Sequence, residues 1–432
     1  MKKIQDYQTK ITLLKQIKQM IYANLEQILI ALEQDLQKPH YEIILTEVIP
    51  VIKELNFFLK KLNKNSFYKT KSWSPFSSYG YLYHPRGQVL ICNTWNYPLQ
   101  LLFVPLIGSI AAGNITTIKF HPYLKNFNSL MTKLIKELDP KSQLIQVDQT
   151  TSFVETFNQK TYDFVFFTGS YQTSLEIQKH LNPSQTEVCF ELGGKSPFVI
   201  TQSANLKKAA KMFCYAKLLN AGQTCIAPDY IFIDRKIAPL FEKELRKRIS
   251  KLTNKVDIVK LFDKLLPSVR KNELQKHLTS QIKEFDYSNL ILKDNDLNNK
   301  FYHQELFAPF ALMYQFDHLS EFEKLYNQNP FPLSFYIFTR KQKDVDFFIT
   351  SFPAGNYMIN NTMSIFEDNK LSFGGIKTSG IGRYRGFASL ELFSHKSSLI
   401  HKKGIDLLFK LKNYPYTSFK QKLLKLYLRF LK

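Results

Sequence analysis

The residue with the clearest chemical potential is a cysteine near the end of a small-residue segment. Residues 220–228 read NAGQTCIAP, which places Cys225 just beyond a predicted amphipathic helix. Small neighbours let a ligand approach the backbone closely, and a cysteine is nucleophilic where its thiolate form is accessible. For a cysteine taken alone, a buried structural thiol is the more frequent interpretation.

Two polar residues elsewhere could complete such a site. Glu191 follows the apolar run 188–190, where desolvation raises the pKa of a carboxyl group towards that of a useful base. Asn96 follows a predicted strand, and a side-chain amide there can donate to a developing oxyanion. Taken separately, Glu191 could form an interdomain salt bridge and Asn96 could belong to an ordinary Asx turn.

The elements around these residues alternate between strands and helices. Strands are predicted at 89–92, 116–120, 144–147, 164–167, 198–200 and 230–233, and helices at 98–112, 129–138 and 206–219. Strand–helix–strand units at this spacing form parallel sheets with right-handed crossovers. Ligands of such sheets bind at the carboxyl ends of the strands, so we expect residues 93–98, 119–122 and 168–170 on one rim.

Composition narrows the class of protein. The chain has 432 residues, of which 44% are hydrophobic and 22% charged, and this globular composition excludes whole-chain disorder. The net charge of +23 favours a polyanionic partner such as nucleic acid, an anionic membrane or a phosphate-bearing cofactor. The four cysteines lack the spacing of a disulfide scaffold or a zinc site, and no metal is predicted. No signal peptide and no apolar span of ~20 residues is evident, so we expect a cytoplasmic protein.

Seven segments, in order, resemble an aldehyde dehydrogenase, most of all the class 3, fatty-aldehyde branch. They are residues 94–98, 111–114, 167–170, 191–197, 220–230, 305–309 and 373–395, within a resemblance that runs from residue 25 to 420. The resemblance implies an α/β fold with three parts. These are a parallel-sheet, Rossmann-type dinucleotide-binding domain (1–70 and 87–190), an α/β catalytic domain (191–390), and a small bridging or oligomerisation arm with a basic C-terminal tail (71–86 and 391–432).

The same resemblance implies oxidation of an aldehyde to the carboxylic acid with NAD or NADP. Cys225 would attack the aldehyde to form a thiohemiacetal, and Asn96 with the Cys225 backbone N–H would hold the oxyanion. Loss of hydride would leave a thioester, and Glu191 would activate the water that hydrolyses it. Medium- or long-chain aliphatic aldehydes or aromatic aldehydes are the expected substrates, with Tyr97 and His395 near them.

Cofactor-binding roles are also implied by the resemblance. Lys119 matches the residue that bonds the adenosine ribose, Glu305 the one that bonds the nicotinamide ribose, and Phe307 packs near the nicotinamide ring. The turn 168–170 opens a helix whose N–H groups would lie near the pyrophosphate. The full predicted set is Thr94, Trp95, Lys119, Thr168, Gly169, Ser170, Leu192, Gly193, Glu305 and Phe307.

Two departures from the family pattern affect the cofactor region. Ser174 stands where the family usually has a glycine, which predicts looser or shifted pyrophosphate packing. Pro122 stands where class 3 members have the carboxylate expected to bond the adenosine ribose and repel a 2′-phosphate. We therefore hypothesise that NADP is used alongside NAD.

Partners and alternative functions stay open at this point. Residues 417–432 predict a basic amphipathic helix that could lie on an anionic membrane, cover the protein's own core or contact a dimer partner. The resemblance implies a homodimer, and no specific nucleic-acid partner is expected because no aromatic–basic stacking motif is found. One alternative is a relative that passes the thioester to coenzyme A, which the carboxylate at Glu191 disfavours. Another is a non-catalytic basic binding protein on the same fold.

Overall fold

The computed structural model describes residues 7–62, 68–74, 77–253, 290–292, 303–366, 368–402 and 409–431. Contacts divide the chain into two compact units. The first comprises Met1–Leu62 and Pro85–Ser394, and the second comprises Asn63–His84 and His395–Lys432. The Lys-rich sequence over residues 236–299 predicts mainly helical structure, and residues 254–289 and 293–299 of that stretch lie outside the described residues.

The described strands fall into three sheets. In chain order they are β1 (Tyr68–Ser74), β2 (Ser77–Pro85), β3 (Gln88–Cys92), β4 (Ile115–Lys119), β5 (Ile145–Val147), β6 (Phe164–Gly169), β7 (Glu187–Leu192), β8 (Pro197–Ile200), β9 (Tyr230–Asp234), β10 (Ile291–Leu292), β11 (Ala311–Phe316), β12 (Ser334–Phe338), β13 (Asn356–Ile359), β14 (Gly380–Ile381) and β15 (Ser394–Lys402).

The first unit contains two parallel sheets. One has the order β14-β7-β6-β3-β4-β5, in which only β14 runs antiparallel to its neighbour. The other has the order β10-β11-β9-β8-β12-β13 and is parallel throughout its pairs. These sheets confirm the predicted α/β class with parallel strands. β4 ends at Lys119, one residue earlier than the sequence predicts.

Helices precede and connect these strands. In chain order they are α1 (Tyr7–Ala23), α2 (Leu25–Leu36), α3 (His40–Ile43), the π-helical turn Ile44–Val48, α4 (Ile49–Lys61), α5 (Pro98–Ala112), α6 (Lys125–Leu138), α7 (Phe153–Gln159), α8 (Tyr171–Gln178), α9 (Leu206–Leu218) and α10 (Ala238–Thr253). Later helices span Phe322–Gln328, Gln342–Ser351, Phe387–Leu392, Phe409–Lys412 and Ser418–Phe430.

Two helices show why the sequence folds in this way. α5 has the predicted bounds, and all of its residues are buried, as expected for a helix that is apolar on every side. It ends at Gly113, which adopts a left-handed φ of 97°. α2 ends before Gln37, which is also left-handed, and Pro39 prevents the helix from continuing.

Aromatic side chains pack on both faces of the second parallel sheet. Phe198 stacks on Phe338 with ring centroids 4.6 Å apart, and Phe232 stacks on Phe316 at 4.2 Å. Large rings bury more apolar surface than any other side chain, so these stacks fix the strands from which the loops after β8 and β9 depart.

The second unit holds the third sheet and the C-terminal helix. The sheet has the order β1-β2-β15, with β1 and β2 antiparallel, and the Lys396 ammonium lies 4.1 Å from the centre of the Tyr81 ring. The helix Ser418–Phe430, here called the terminal helix, confirms the helix predicted for the tail up to Phe430. Among the residues that the structure describes, no helix has the length and apolar character needed to cross a membrane.

The predicted arm, residues 71–86 and 391–432, overlaps the second unit, whose bounds differ by a few residues. The predicted boundary between a cofactor domain and a catalytic domain, at residue 190, falls inside the first unit. That division stays a prediction.

Candidate active site

Four strands of the first sheet end at one edge. Register pairs join Cys92 with Lys119 and with Phe167, and join Thr168 with Glu191. Residues that follow parallel strands share the carboxyl edge of their sheet. The structure therefore brings the three predicted rim segments to the edge that also holds Glu191.

The predicted nucleophile lies in a strained loop. After α9, the turn Leu219–Gly222 holds Asn220 and Ala221 at φ 49° and 50°, a left-handed conformation that is unfavourable for a residue with a β-carbon. Gly222 follows at φ 71°, and a Cβ on it would collide with the Ala308 carbonyl. The loop is therefore fixed against the segment that contains Ala308.

Cys225 is half-buried, whereas the other three thiols are buried. Burial raises the pKa of the Cys225 thiol, and the negative charges of Glu305 and Glu191 raise it further. Hydrogen bonds from the backbone N–H groups of Cys225 and Ile226 oppose this rise. The resting group is thus a thiol, and two carboxylates lie within electrostatic reach of its sulfur.

Asn96 faces the nucleophile loop. Its Nδ2 donates to the Gln223 carbonyl at 3.0 Å, and its Oδ1 accepts from the Thr94 hydroxyl at 3.3 Å. A side-chain amide carries two N–H donors, and the described residues engage one of them. The other can serve an oxyanion formed at Cys225.

A buried ion pair supports Asn96 from behind. Lys38 Nζ donates to Glu47 Oε1 at 2.8 Å and to the Asn96 carbonyl at 2.9 Å, and neither charged side chain is exposed. Glu47 Oε2 accepts from the backbone N–H groups of Leu99 and Gln100 at the start of α5. The Lys38–Glu47 pair therefore sets where α5 begins and where Asn96 lies before it.

Asn220 ties the two parts of the site together. Its Nδ2 donates to the Asn96 carbonyl at 3.0 Å and to the Gln223 carbonyl at 3.1 Å. Its backbone N–H donates to Glu42 Oε1 at 2.7 Å. The Asn220 carbonyl also accepts from the Gln223 backbone N–H at 2.9 Å and from Gln223 Nε2 at 3.0 Å, so five hydrogen bonds hold the left-handed turn and keep the oxyanion donor and the nucleophile loop in register.

Glu191 is the deeply buried carboxyl group of the site, only 3% exposed. Burial raises its pKa well above the ordinary value, and the positive charge of Arg383 lowers it in part. Its Oε1 accepts a long bond from the Cys189 thiol, at 3.8 Å. Its Oε2 is buried and has no hydrogen-bond partner among the described residues, so it can accept a proton from a water or ligand.

The Gly-rich run near residue 380 packs on the strand that carries this base. Gly380 pairs with Glu191, and a Cβ on Gly380 would collide with the Phe190 carbonyl. Arg383 is held there by bonds to Ser372, Gly355, Gly374 and Asn356. The run is therefore a close-packing segment.

The residues predicted to hold a dinucleotide fit that group. A Cβ on Gly193 would collide with the Glu305 carboxylate, so backbone and carboxylate approach closely there. Thr168 Oγ1 is buried and has no partner among the described residues. Ser170 caps α8 by accepting from the Thr173 N–H at 3.1 Å. A glycine cradle, an unsatisfied hydroxyl and a helix N-terminus are features that a phosphate-bearing ligand uses.

Comparisons with known proteins decide the family. The family model described as the aldehyde dehydrogenase family matches residues 3–398. The chain belongs to the aldehyde dehydrogenase family. It is 31% identical to aldehyde dehydrogenase family 3 comG of Dictyostelium discoideum over 94% of this chain and 90% of that protein.

Two proteins of Staphylococcus aureus add to this. The chain is 31% identical to a 4,4′-diaponeurosporen-aldehyde dehydrogenase, over 90% of this chain and 88% of that protein. A solved structure titled as the substrate-bound state of Staphylococcus aureus AldH matches with a TM-score of 0.88 at 29% identity, over 99% of this chain and 96% of that one. Family membership confirms the predicted class 3 resemblance and an aldehyde-oxidising, NAD(P)-dependent enzyme.

In this aldehyde dehydrogenase, the predicted nicotinamide-side residues also come together. The Trp95 and Phe307 rings meet edge to face with centroids 5.7 Å apart. Phe307 has a left-handed φ of 49°. The next residue back, Leu306, donates its N–H to Asp229 Oδ2 at 2.8 Å, and Asp229 forms a buried ion pair with Lys195. This pair holds the segment that carries Glu305 and Phe307.

Lys119, the predicted adenosine-ribose ligand, is already paired. Its Nζ lies 3.0 Å from Asp148 Oδ2 and donates to the carbonyl and the hydroxyl of Thr150 at 3.0 and 2.9 Å. Its place at the end of β4 agrees with the prediction. The contact with a ribose stays a prediction, and Asp148 enters the site as a charge that was not among the predicted residues.

The remaining predicted residues have different surroundings. Tyr97 is buried, its hydroxyl lies 2.6 Å from Thr224 Oγ1, and Lys38 Nζ lies 4.3 Å from its ring centre, so it supports the nucleophile loop. Leu192 ends β7 beside Gly169. His395 is exposed on β15 in the second unit. Substrate contacts of Tyr97 and His395 stay predictions.

A cavity of about 520 Å³ opens beside the nucleophile loop. Leu219, which begins the strained turn, lines it, as does Glu42, which accepts from the Asn220 N–H. Most of the other lining side chains are apolar: Tyr41, Leu45, Met212, Cys214, Tyr215, Leu218 and Leu252, beside the polar Lys211, Arg248, Asn361 and Thr362.

Sequence reasoning missed Lys38, Glu47, Asn220 and Asp148 as parts of the site. Lys38 and Glu47 lie outside the seven segments that carry the resemblance, and their partners at the start of α5 are more than 50 residues away in the chain. A signal was present for Asp148, because it directly follows a predicted strand of the sheet.

Proposed function

We propose that this chain oxidises apolar aldehydes through a thioester on Cys225. The Cys225 thiol loses its proton to water as the sulfur attacks the carbonyl carbon, and the oxyanion of the thiohemiacetal accepts hydrogen bonds from Asn96 Nδ2 and the Cys225 backbone N–H. NAD or NADP, when bound, accepts the hydride that leaves this carbon. Glu191 removes a proton from the water that attacks the resulting thioester, which releases the acid and restores the thiol.

One observation carries this proposal. Glu191 is buried with an oxygen that no described residue satisfies, and its charge acts on the pKa of a half-buried cysteine in a strained loop. A buried unsatisfied carboxylate is costly, so its place next to a nucleophile argues for a base that meets water or ligand.

Product analysis tests this proposal against its alternatives. We expect reduced cofactor and free carboxylic acid in equal amounts from an aldehyde panel, with or without coenzyme A. An acyl-coenzyme A product would support the acylating alternative. A wild type that oxidises no aldehyde but binds DNA in a salt-dependent manner would support the non-catalytic alternative.

The substrate class follows from the cavity beside the nucleophile loop. Eight of its thirteen lining residues are apolar (Tyr41, Leu45, Met212, Cys214, Tyr215, Leu218, Leu219 and Leu252), and burying each methylene of an aliphatic chain stabilises the complex by about 0.8 kcal/mol. This supports medium- or long-chain aliphatic or aromatic aldehydes whose chain enters this cavity. Cys225 itself does not line the cavity, which reaches the nucleophile loop at Leu219.

A pair of tryptophan substitutions tests the cavity. Leu45→Trp narrows the cavity and should raise KM for decanal while leaving KM for propanal unchanged. Ile44→Trp is the matched control, because Ile44 is similarly exposed but does not line the cavity. Equal effects of the two substitutions would remove the cavity from the substrate path.

A homodimer is the proposed assembly. β15 lies at an edge of the described three-stranded sheet, and Ile400 on it is 70% exposed. An open edge strand pairs readily with another chain. Light scattering should give twice the mass of one chain for wild type and Ser398→Ala, and a lower mass for Ser398→Pro, since proline removes a ladder donor. A monomeric wild type would contradict this.

Peripheral membrane contact is proposed for the terminal helix. Its apolar side chains Phe419, Leu423, Tyr427 and Phe430 are exposed, and Lys422, Lys425 and Arg429 follow the same helix. Co-sedimentation with phosphatidylglycerol vesicles should be lost on truncation after Tyr416 and reduced by Lys422→Glu with Lys425→Glu. Equal sedimentation of all forms would remove the idea.

A cytoplasmic location is proposed on chemical grounds. The mechanism requires Cys225 as a thiol, and the four cysteines are unpaired. Reducing compartments maintain this state. Cell fractionation should recover the protein with cytoplasmic markers or on the cytoplasmic face of membranes.

A further inference from the structure

The end of β4 carries a charge arrangement that was not among the residues predicted from the sequence. Lys119 Nζ donates to Asp148, which directly follows β5, and to the carbonyl and hydroxyl of Thr150. Asp148 is itself anchored to the neighbouring strand, since its backbone N–H donates to the Ile118 carbonyl at 2.8 Å. The three acceptors match the three N–H donors of an ammonium group.

Asp148 is held as a carboxylate. Burial alone would raise its pKa, but hydrogen bonds outweigh that effect and hold the pKa below its usual range. The donors are the Thr150 N–H at 3.0 Å, the hydroxyls of Thr150 and Thr156 at 2.8 Å each, and Lys119. Its side chain is only 6% exposed. A fixed negative charge therefore lies at the carboxyl edge of the sheet.

No positive charge on the residues just after Lys119 balances this carboxylate. Phe120 and Pro122 carry none, and burial lowers the pKa of His121 to about 4, so its ring is neutral at neutral pH. His121 Nδ1 instead accepts from the Tyr123 N–H at 3.3 Å. Class 3 members have a carboxylate at the position of Pro122. In this chain Asp148, which follows the neighbouring strand β5, can take its place.

We propose that Asp148 determines cofactor specificity by favouring an adenosine ribose with a free 2′-hydroxyl. Its carboxylate accepts from ribose hydroxyl groups, and it repels a 2′-phosphate while keeping Lys119 neutralised. The inference rests on the proposed function and on the prediction that the adenosine ribose lies beside Lys119. It reverses the hypothesis drawn from Pro122, because NAD is then preferred to NADP.

Calorimetric titration of binding tests this without relying on turnover. The probes are NAD, NADP, AMP and 2′,5′-ADP, titrated into the full-length wild type, Asp148→Asn and Asp148→Ser. We expect the wild type to bind NAD and AMP at least about thirtyfold more tightly than their 2′-phosphorylated forms. Either Asp148 variant should reduce that ratio at least about tenfold, because Lys119 becomes available to the 2′-phosphate.

Glu155→Gln is the matched control. Glu155 is an exposed carboxylate nearby, bonded to Thr151, and its removal should leave the ratio unchanged. Equal binding of NAD and NADP by wild type, or an unchanged ratio in a folded Asp148 variant, would overturn the proposal. If both variants unfold, the wild-type ratio of AMP to 2′,5′-ADP decides alone.

The outcomes also separate this inference from the proposed function. If the wild type binds none of the four probes, the cofactor site itself fails. If the wild type binds NAD and AMP, but the Asp148 variants keep the same preference over the 2′-phosphorylated forms, the cofactor site stands and only the assignment of Asp148 fails.

Discussion

Asn96 on the nucleophile side and Glu191 on the base side of this active site differ in how fully their own polar atoms are hydrogen-bonded. Around Asn96, the carbonyl accepts two side-chain donors, from Lys38 and Asn220, and the side-chain amide is bonded at both ends. Across the site, Glu191 Oε2 and Thr168 Oγ1 are buried with no partner among the described residues.

This difference separates groups that must be held from groups that must react. A satisfied buried network fixes a side chain in one geometry, and oxyanion stabilisation depends on such geometry. An unsatisfied buried oxygen costs about 1–3 kcal/mol, so it persists where water or ligand completes it. Hydrogen bonds fix the oxyanion donor Asn96, whereas the base Glu191 keeps an oxygen available to water or ligand.

The largest effect is expected from the nucleophile. Cys225→Ser should lower kcat at least about a thousandfold, because a serine hydroxyl in this position has no described base within hydrogen-bond distance. NAD affinity measured by calorimetry should stay within about threefold, since the cofactor residues are untouched. Comparable kcat in the variant would remove Cys225 from the chemistry.

The second-largest effect is expected from the Lys38–Glu47 ion pair, which holds Asn96 from behind. Lys38→Met leaves Glu47 buried and uncompensated, so the free energy of unfolding should fall by about 3–5 kcal/mol and kcat by about 10- to 100-fold. Lys38→Met with Glu47→Gln should regain most of the stability but not kcat, because the Asn96 carbonyl still lacks its ammonium donor. Urea titrations beside steady-state kinetics measure both.

That double variant decides what the Lys38–Glu47 pair does. If kcat recovers fully together with stability, the ion pair has only a structural role. The hydrogen bonds around Asn96 would then not contribute to catalysis through Lys38.

Stability and activity are both expected to depend on pH through Glu191. The folded state raises the pKa of Glu191 above its ordinary 4.5, so the unfolded chain loses this proton first and stability falls as pH rises above that value. Thioester hydrolysis should speed up over the same range, since the base must be ionised. The melting temperature of Glu191→Gln relative to wild type should therefore increase from about pH 5 to pH 9.

The pH series has a clear negative result. A melting-temperature difference that is constant with pH would show that the folded state does not perturb Glu191.

The smallest effect on activity is expected for Cys92, a thiol that contacts neither the Asn96 network nor Glu191 in the described hydrogen bonds. Cys92 is buried in β3, and Cys92→Ala should cost about 1 kcal/mol of stability by leaving a small cavity. Its kcat should match that of wild type. A large loss of kcat at this position would mean that the edge of the sheet, rather than the nucleophile loop, limits the reaction.

Local patterns predicted most of the fold. The bounds of α5 and the parallel strands follow from apolar periodicity and from Gly113, all of which are local in sequence. The π-helical turn Ile44–Val48 was not predicted, because its place depends on contacts of Glu47 with α5. Local sequence encodes the period of an element but not its distant partners.

The site was predicted in part for the same reason. Cys225, Glu191 and Asn96 carry their chemistry in their own side chains and stand in recognisable segments. Lys38 and Asp148 act through contacts that only the folded chain creates. Groups that react were visible in the sequence, whereas groups that hold them or set their specificity were not.

The most direct test of the central claim is the first turnover of Glu191→Gln. With the open base removed, hydride transfer should proceed and thioester hydrolysis should stop, so rapid mixing with NAD and a medium-chain aldehyde should release about one equivalent of NADH per site and then almost none. Mass spectrometry should find the acyl group on Cys225. Steady turnover at the wild-type rate, or an absent burst with an unmodified Cys225, would contradict the account.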